Sequence, residues 1–292
     1  MEFSVVIATR DREAFLRDAL DSLATQAGAP PFEVVVVDNG SRDGTRGVVE
    51  ARAQREPPVR YVAVPQPNRG LARNRGVDAA RGRYVLFCDD DVIVPAGWIA
   101  AHAAAHRGGE RVVNGPIVNV PSFEDRVAPT IANYSRAFLC TCNASLSKDA
   151  FARAGGFDES FELYGWEDTE LGVRLRAAGL DRSFAWEAYL WHLKPPSENT
   201  IAVESRKAVE KARMATRFLA KHPSRRARLA TGAHELNLLR ARYLLPERLL
   251  AFYAGLATSR RVPPWIAAAA RAQLLDGIYS KELVRALDAG RR

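Results

Sequence analysis

Three adjacent carboxylates, Asp89-Asp90-Asp91, close the apolar run Arg83–Cys88 and precede Val92-Ile93-Val94-Pro95. Neighbouring carboxylates repel one another unless a cation offsets them. Oxygen ligands at the end of a buried strand suit a hard divalent ion such as Mg²⁺ or Mn²⁺. Alternate residues of an extended chain share a side, so Asp89 and Asp91 can face one ligand together. A solvated acidic turn is the plain alternative, and the apolar flanks on both sides speak against it.

Further chemistry-bearing residues lie elsewhere. Glu167-Asp168 opens an amphipathic stretch directly after Tyr164-Gly165-Trp166. Acidic residues in a first helical turn favour the helix dipole. Aromatic neighbours lower local polarity, which can raise a carboxyl pKa toward that of a general base. His192 ends a strand-like run, and beside a divalent site seeded by Asp91 it can serve as a further ligand. The stretch from Asn68 to Gly76 (NRGLARNRG) is a basic helix start, with backbone N–H groups and arginines suited to a diphosphate. Cys140 and Cys142 form a lone C-x-C; with no second pair to complete four ligands, it is not expected to hold zinc.

These groups need elements to carry them. Buried strands are expected over Phe3–Ala8, Phe32–Val37, Val59–Val64 and Arg83–Cys88, and helices over Arg12–Ala27, Arg42–Glu56 and Gly70–Ala80. Downstream, the pattern predicts strands over Val112–Val120, Asn143–Ser147 and Arg182–Trp191, with helices over Lys148–Ala154 and Glu167–Ala178. Strand–helix alternation with continuous β-branched strands implies an α/β fold. Its sheet is mostly parallel and covered by helices on both faces. Ligands bind beyond the carboxyl ends of such strands, where Thr9-Arg10-Asp11, Asp38-Asn39 and Asp89-Asp90-Asp91 all fall. No G-x-G-x-x-G follows the first strand, which speaks against a dinucleotide oxidoreductase.

The chain has 292 residues and a net charge of +8. The charge is uneven: residues 1–199 carry 23 basic and 27 acidic side chains, residues 200–292 carry 19 and 7. We therefore expect a catalytic domain over 1–199 and a basic helical extension over 200–292. A basic segment favours anionic partners. In the extension, Arg206, Lys207, Lys211, Arg213 and Arg217 interleave with Val209, Met214, Phe218 and Leu219. Leu236, Leu239, Tyr243, Leu249, Leu250, Phe252 and Tyr253 follow. Two readings stay open: a helical pair with a solvated basic face, or peripheral contact with an anionic membrane. Three cysteines, no apolar leader and no apolar run of membrane-spanning length lead to an expected cytoplasmic location.

Taken in order, the motifs resemble the family-2 glycosyltransferases of GT-A fold. The matching stretches include Val5–Arg10, Val35–Thr45, Asn68–Asn74, Leu86–Asp91, Asn143–Leu146, Gly155–Glu159 and Glu167–Leu171, spread over residues 3–193. The resemblance implies an inverting transferase of hexosyltransferase type, dependent on a nucleotide-sugar donor and a divalent cation. It gives Ala8, Thr9, Arg10 and Asp38 to the nucleoside, with Asn39 beside them. Gly70, Arg73 and Asn74 would line the base and diphosphate, and Asp89 and Asp90 the ribose and sugar; Trp166 is placed with the nucleotide-sugar site. Asp91 and His192 would hold Mn²⁺ or Mg²⁺. Asp168 would be the catalytic base, and Glu167 would orient sugar or acceptor. A uridine diphosphate donor is the family's commonest case. The acceptor, whether a glycan, a lipid-linked glycan, a small molecule or a peptide, is not legible, and neither is the oligomeric state, a homo-oligomer included. The absence of a Gln-x-x-Arg-Trp motif and of membrane spans points to transfer of one sugar, in glycan, polysaccharide or glycoconjugate synthesis. Two rival readings compete with this one. A nucleotidyltransferase would need a glycine-rich basic loop after the first strand. A non-catalytic sugar- or nucleic-acid-binding protein would not need the set Asp91, Asp168 and His192, so nucleic acid is not an expected partner.

Overall fold

A computed structural model describes residues 1–196, 200–259 and 261–290. They form two compact units, Met1–Glu162 with Glu167–Pro195, and Leu163–Trp166 with Pro196 onward. The boundary expected at residue 199 lies outside the described residues.

The first unit opens with β1 (Phe3–Thr9), α1 (Glu13–Leu23), β2 (Phe32–Asp38), α2 (Thr45–Glu50), β3 (Val59–Ala63), α3 (Arg69–Ala79) and β4 (Tyr84–Cys88). It continues with β5 (Val92–Ile93), α4 (Trp98–His106), β6 (Arg111–Asn114) and β7 (Ile117–Val120). Next come β8 (Asn143–Ser147), α5 (Lys148–Arg153), α6 (Glu167–Ala177), β9 (Asp181–Phe184) and β10 (Leu190–Leu193). The large sheet runs β3-β2-β1-β4-β8-β6-β9. Its first four strands are parallel, and β8 is antiparallel to both neighbours. A small sheet, β5-β10-β7, holds the chain after the acidic triplet beside β10.

Strands β1, β2 and β4 are apolar on both faces because both faces are covered; Val34, Val35, Val36 and Val37 are fully buried. Burying one such side chain contributes about 1.5–3 kcal/mol. The register pairs Thr9 with Asp38 and Ile7 with Cys88, so the polar residues after all three strands emerge at one edge. The chain order reverses there: β2 and β4 lie on opposite sides of β1, the switch point at which open α/β sheets form a crevice.

Three expected elements are shorter than the pattern implied. The helix over 42–56 is reduced to α2, because after Glu50 the run Ala-Arg-Ala-Gln-Arg has no apolar face to bury. The strand over 112–120 splits at Gly115-Pro116 into β6 and β7, which join different sheets. The strand over 182–191 likewise splits into β9 and β10 around a turn at Ala185–Ala188.

A buried polar hub fixes the split. Asn143 Nδ2 donates to the carbonyls of Pro116 (3.0 Å) and Ala188 (2.8 Å), and its Oδ1 accepts from Trp98 Nε1 and His102 Nε2, both at 3.0 Å. With its Nε2 proton so used, His102 Nδ1 accepts from Ser145 Oγ, and Ser145 Oγ accepts in turn from His106 Nε2. Burial holds both histidines neutral, lowering His102 to about 4 and His106 to about 3.

The second unit contains α7 (Ile201–Lys221), α8 (Arg225–Thr231), α9 (Glu235–Leu239), α10 (Glu247–Thr258) and α11 (Pro264–Ala289), with a π turn after α9. Helices α7 and α11 pack on each other through Ala212, Ala215 and Leu283. The expected helical pair is thus a bundle, and Leu236, Leu239, Tyr243 and Phe252 remain exposed on it while Leu250 is buried. Among the described residues, no helix is long and apolar enough to cross a membrane.

At Gly115 a side chain would run into the Ala188 carbonyl and Asn143 Nδ2. Gly115→Ala should lower stability by about 1–3 kcal/mol, read as an earlier urea midpoint with an unchanged slope.

Candidate active site

The crevice edge is built from three loops and one helix. After β1, Asp11 adopts a left-handed backbone (φ 52°). It is held there because its N–H donates to Ser41 Oγ (3.0 Å) while its Oδ1 accepts from the Arg42 N–H (2.7 Å). This locks the Thr9-Arg10-Asp11 loop to the one after β2. Thr9 is buried; Arg10 is exposed, and pairs with Asp11 at 3.7 Å.

Asp38 is buried, with Oδ1 accepting from the Ser41 N–H (2.7 Å) and Oδ2 from the Tyr61 hydroxyl (2.8 Å). Tyr61 was not singled out in the sequence. Burial, then the bonded carboxylate, pushes its pKa up to about 12, so it remains a donor that orients Asp38. Asn39 spends its Oδ1 on the Asn68 N–H (3.0 Å). Asn68 in turn caps α3 by accepting from the Leu71 N–H, which fixes the start of the helix that carries Arg73.

On α3 the expected residues part company. Gly70 is buried against Phe157 and the Asp158 carbonyl. The Asn74 amide is fully engaged by the loop after α5: its Nδ2 donates to the Phe157 carbonyl (2.9 Å) and Glu159 Oε1 (3.0 Å), and its Oδ1 accepts from the Phe157 N–H (2.8 Å). A side chain at Gly156 (φ 65°) would meet Asn74 Oδ1, which explains the glycine there. Both residues therefore shape the site from behind.

Arg73 instead faces the carboxylates. Its guanidinium lies 3.3 Å from Glu167 Oε1, 3.8 Å from Asp168 Oδ1 and 3.6 Å from Asp89 Oδ1, over the Phe157 ring. One largely buried cation thus joins the triplet to the Glu-Asp pair. Asp168 Oδ2 accepts from the Thr141 N–H (3.1 Å) and hydroxyl (2.9 Å), while Oδ1 is shielded from solvent and makes no hydrogen bond. Burial, then the Glu167 charge, raises the Asp168 pKa, against Arg73 and the Thr141 bonds. Thr141 was missed because its role arises only when β8 packs beside α6. Trp166, which precedes this pair, also has a left-handed backbone (φ 75°). Its indole N–H donates to the Lys211 carbonyl (3.0 Å) and its ring stacks on Phe218, so the ring is engaged in packing.

The other end of the triplet has its own cations. Arg12 Nη1 bonds Asp91 Oδ2 at 2.8 Å and lies 3.8 Å from Asp90 Oδ1. Burial opposes ionisation of Asp91, but His192, Lys194 and Arg12 outweigh it and lower its pKa to about 2. For Asp90, burial dominates and raises the pKa to about 7.

The cluster around His192 fits a divalent ion. His192 Nδ1 sits 3.0 Å from Asn119 Oδ1, which orients the ring. Its Nε2 lies 2.7 Å from Lys194 Nζ and 3.0 Å from Asp91 Oδ1. An imidazole whose other nitrogen donates to an oriented acceptor is the usual form of a metal-ligating histidine. The thiols nearby are neutral: burial raises Cys142 well above its usual value and Cys140 to about 12.

With this geometry in view, similarity to known proteins decides the family. The profile of Glycosyl transferase family 2 matches residues 4–156, and one described as the N-terminal domain of galactosyltransferase matches residues 127–195. The chain belongs to glycosyl transferase family 2. Two relatives, both called validoxylamine A glucosyltransferase, come from Streptomyces hygroscopicus subspecies limoneus and jinggangensis. They are 31% and 30% identical over 94% of this chain, which covers 66% and 71% of their lengths. Among solved structures, the mannosyltransferase PcManGT of Pyrobaculum calidifontis, in complex with GDP-Man and Mn²⁺, has a TM-score of 0.67. It is 19% identical, with 98% of this chain and 87% of that one covered. The S. aureus TarS 1-349 complex with UDP-GlcNAc has a TM-score of 0.58 at 21% identity, covering 99% and 92%. The fold of this family-2 glycosyltransferase is therefore GT-A, a mixed α/β architecture with a mostly parallel sheet.

Arg73→Met would leave three carboxylates facing one another. We expect a loss of about 3 kcal/mol at pH 8, the cost of stranding a buried charge. The loss should shrink at pH 5, as Asp168, whose pKa is already raised, takes up a proton. Chemical denaturation at the two pH values measures it.

Proposed function

We propose that this enzyme moves one hexosyl unit from a nucleoside-diphosphate sugar, a UDP-sugar first among them, to an acceptor hydroxyl with inversion and with a divalent ion bound. The observation that carries the reading is the Asp168 carboxylate. It is oriented through one oxygen by Thr141, kept basic by burial and by Glu167, and bridged through Arg73 to the triplet.

In this reading Asp38, held by Tyr61, accepts from the base, and the Thr9–Asp11 loop lies along the nucleoside. Asp89 takes the ribose or sugar hydroxyls. Asp91 and His192 would hold Mg²⁺ or Mn²⁺, which when bound neutralises the departing diphosphate. Arg73 holds Glu167 and Asp168 in place and offers positive charge to the donor side. Asp168 Oδ1 removes the acceptor proton as the hydroxyl attacks the face opposite the leaving group. The raised pKa serves this step, since a base works best when its pKa approaches the working pH. Glu167 orients the sugar or acceptor. The 30–31% identity to glucosyltransferases supports a hexose donor and a small or glycan hydroxyl acceptor.

Thermal-shift screening of UDP, GDP and dTDP and their sugars with Mn²⁺ or Mg²⁺ should raise the melting temperature with a uridine ligand most, because binding stabilises by occupancy. No shift with any nucleotide would sink this reading. Asp168→Asn should keep the donor-induced shift and lower kcat by about 10²–10⁴; retained turnover would move the base elsewhere.

A base with a raised pKa loses activity as pH falls through that value. The acidic limb of kcat/KM should thus lie above the roughly pH 4 of an ordinary aspartate. Glu167→Gln removes a like charge, so it should move the limb toward lower pH while also weakening sugar or acceptor binding.

A further inference from the structure

Cys142 has no part in the transfer step, yet it does not sit among packing residues alone. One ligand atom from each of Asp89, Cys142 and His192 lies within 4.8 Å of the others. Independently, the His192 ring is oriented through Nδ1, 3.0 Å from Asn119 Oδ1, which leaves Nε2 beside Asp91 Oδ1 at 3.0 Å, the setting of a metal-ligating imidazole. We propose that Asp89, Cys142 and His192 form a second metal site, for a thiophilic divalent cation with zinc foremost, which shares His192 with the hard-ion site and so excludes Mg²⁺ or Mn²⁺ when filled. The exclusion rests on the assignment of Asp91 and His192 to the hard ion; the thiolate site itself does not.

The ligand set is chemically apt. Carboxylate, thiolate and imidazole are all zinc ligands, and three protein ligands leave the fourth tetrahedral position to water. Bond lengths to zinc would set the ligand atoms about 3.5 Å apart, so side-chain rotations that shorten the widest gap by about an ångström would close the cluster. Soft thiolate favours zinc over Mg²⁺ and Mn²⁺. Binding releases the Cys142 thiol proton to solvent as the metal–sulfur bond forms. Two cations must yield. Lys194, whose side chain is 37% exposed, can turn to solvent, and Arg73, 3.6 Å from Asp89, retains Glu167 and Asp168. Cys140 is no part of the cluster.

Co²⁺, a spectroscopic stand-in for zinc, tests the site on the full chain. Titration should give a near-ultraviolet thiolate-to-cobalt charge-transfer band in the wild type and in Cys140→Ser. The band should be bleached by zinc and lost in both Cys142→Ser and Cys142→Ala, with folding checked by circular dichroism. No such band in the wild type, or one that survives both Cys142 changes, overturns the site. Mn²⁺ binding followed by electron paramagnetic resonance tests the sharing: zinc should release bound Mn²⁺. Mn²⁺ that stays bound while the cobalt band is bleached overturns the exclusion. Failure of Mn²⁺ to bind at all overturns the hard-ion reading and leaves the thiolate site standing.

Discussion

Carboxylate crowding governs this site. Asp89, Asp90, Asp91, Glu167 and Asp168 converge at one edge of the sheet, and such a gathering of like charges is costly without cations among them. Two arginines answer it from opposite ends. Arg12, just before α1, engages Asp90 and Asp91; Arg73, on α3, engages Asp89, Glu167 and Asp168. The helices are thus needed for their charge as well as for their apolar faces. Buried as it is, Arg73 stays charged: burial works against it, but Asp168, Glu167 and Asp89 together outweigh that. Acids and bases gathered this closely must be kept from collapsing into neutral pairs. Distances of 3.3–3.8 Å around Arg73 achieve this by sharing one cation among three anions.

Side-chain amides set the positions. Asn143 ties β8 to the turns before β7 and β10, and Asn114 holds the loop leading to Thr141 by donating to the Phe138 carbonyl while accepting from the Cys140 N–H. Asn74 holds the loop after α5, and Asn39 joins the end of β2 to the start of α3. Asn114 and Asn74 each donate to and accept from backbone groups, Asn143 donates to two backbone carbonyls and Asn39 accepts from one backbone N–H, and a buried backbone group without a partner is expensive. These amides do for the loops what ladder bonds do for the sheet. They keep the carboxylates where strand geometry alone would not.

Much of this was readable in the sequence, for a definite reason. The first four strands are buried on both faces, so their apolar runs stand out, and the polar residues that follow them share an edge because parallel strands in register must end together. The convergence of Asp38, Asp89 and the Thr9 loop follows from that rule alone. What was not readable depends on contacts between distant segments. Thr141 and Cys142 gain meaning only from α6, Asp89 and His192. Tyr61 becomes an orienting group only through the pairing of β2 with β3. The resemblance gives Gly70 and Asn74 to the base and diphosphate, whereas the partners of Asn74 lie some 85 residues on, in the loop after α5. The lone C-x-C lacks a second cysteine pair, and spacing within a chain says little about ligands contributed by separate elements. The splits at Gly115-Pro116 and at Ala185–Ala188 were hidden because hydrophobicity continues across both breaks, and only sheet membership separates the pieces.

The triplet itself is less uniform than its three identical letters suggest. Asp90 and Asp91 are adjacent and equally buried, yet their environments drive them apart. Asp91 meets an imidazole, an ammonium and a guanidinium and ionises readily, while for Asp90 burial outweighs Arg12 at 3.8 Å and the Thr9 hydroxyl and raises the pKa to about 7. Opposed shifts in neighbouring carboxyls mark a division of labour. They also resolve the electrostatic objection to three acids in a row: near neutrality the middle member need not carry a full charge, so the repulsion within the run is smaller than a count of aspartates implies. Asp89, one-third exposed and facing Arg73, can then meet ligand from one side while Asp91 faces His192 on the other. Burial of the middle residue, rather than the presence of three acids, is what lets the outer two act separately.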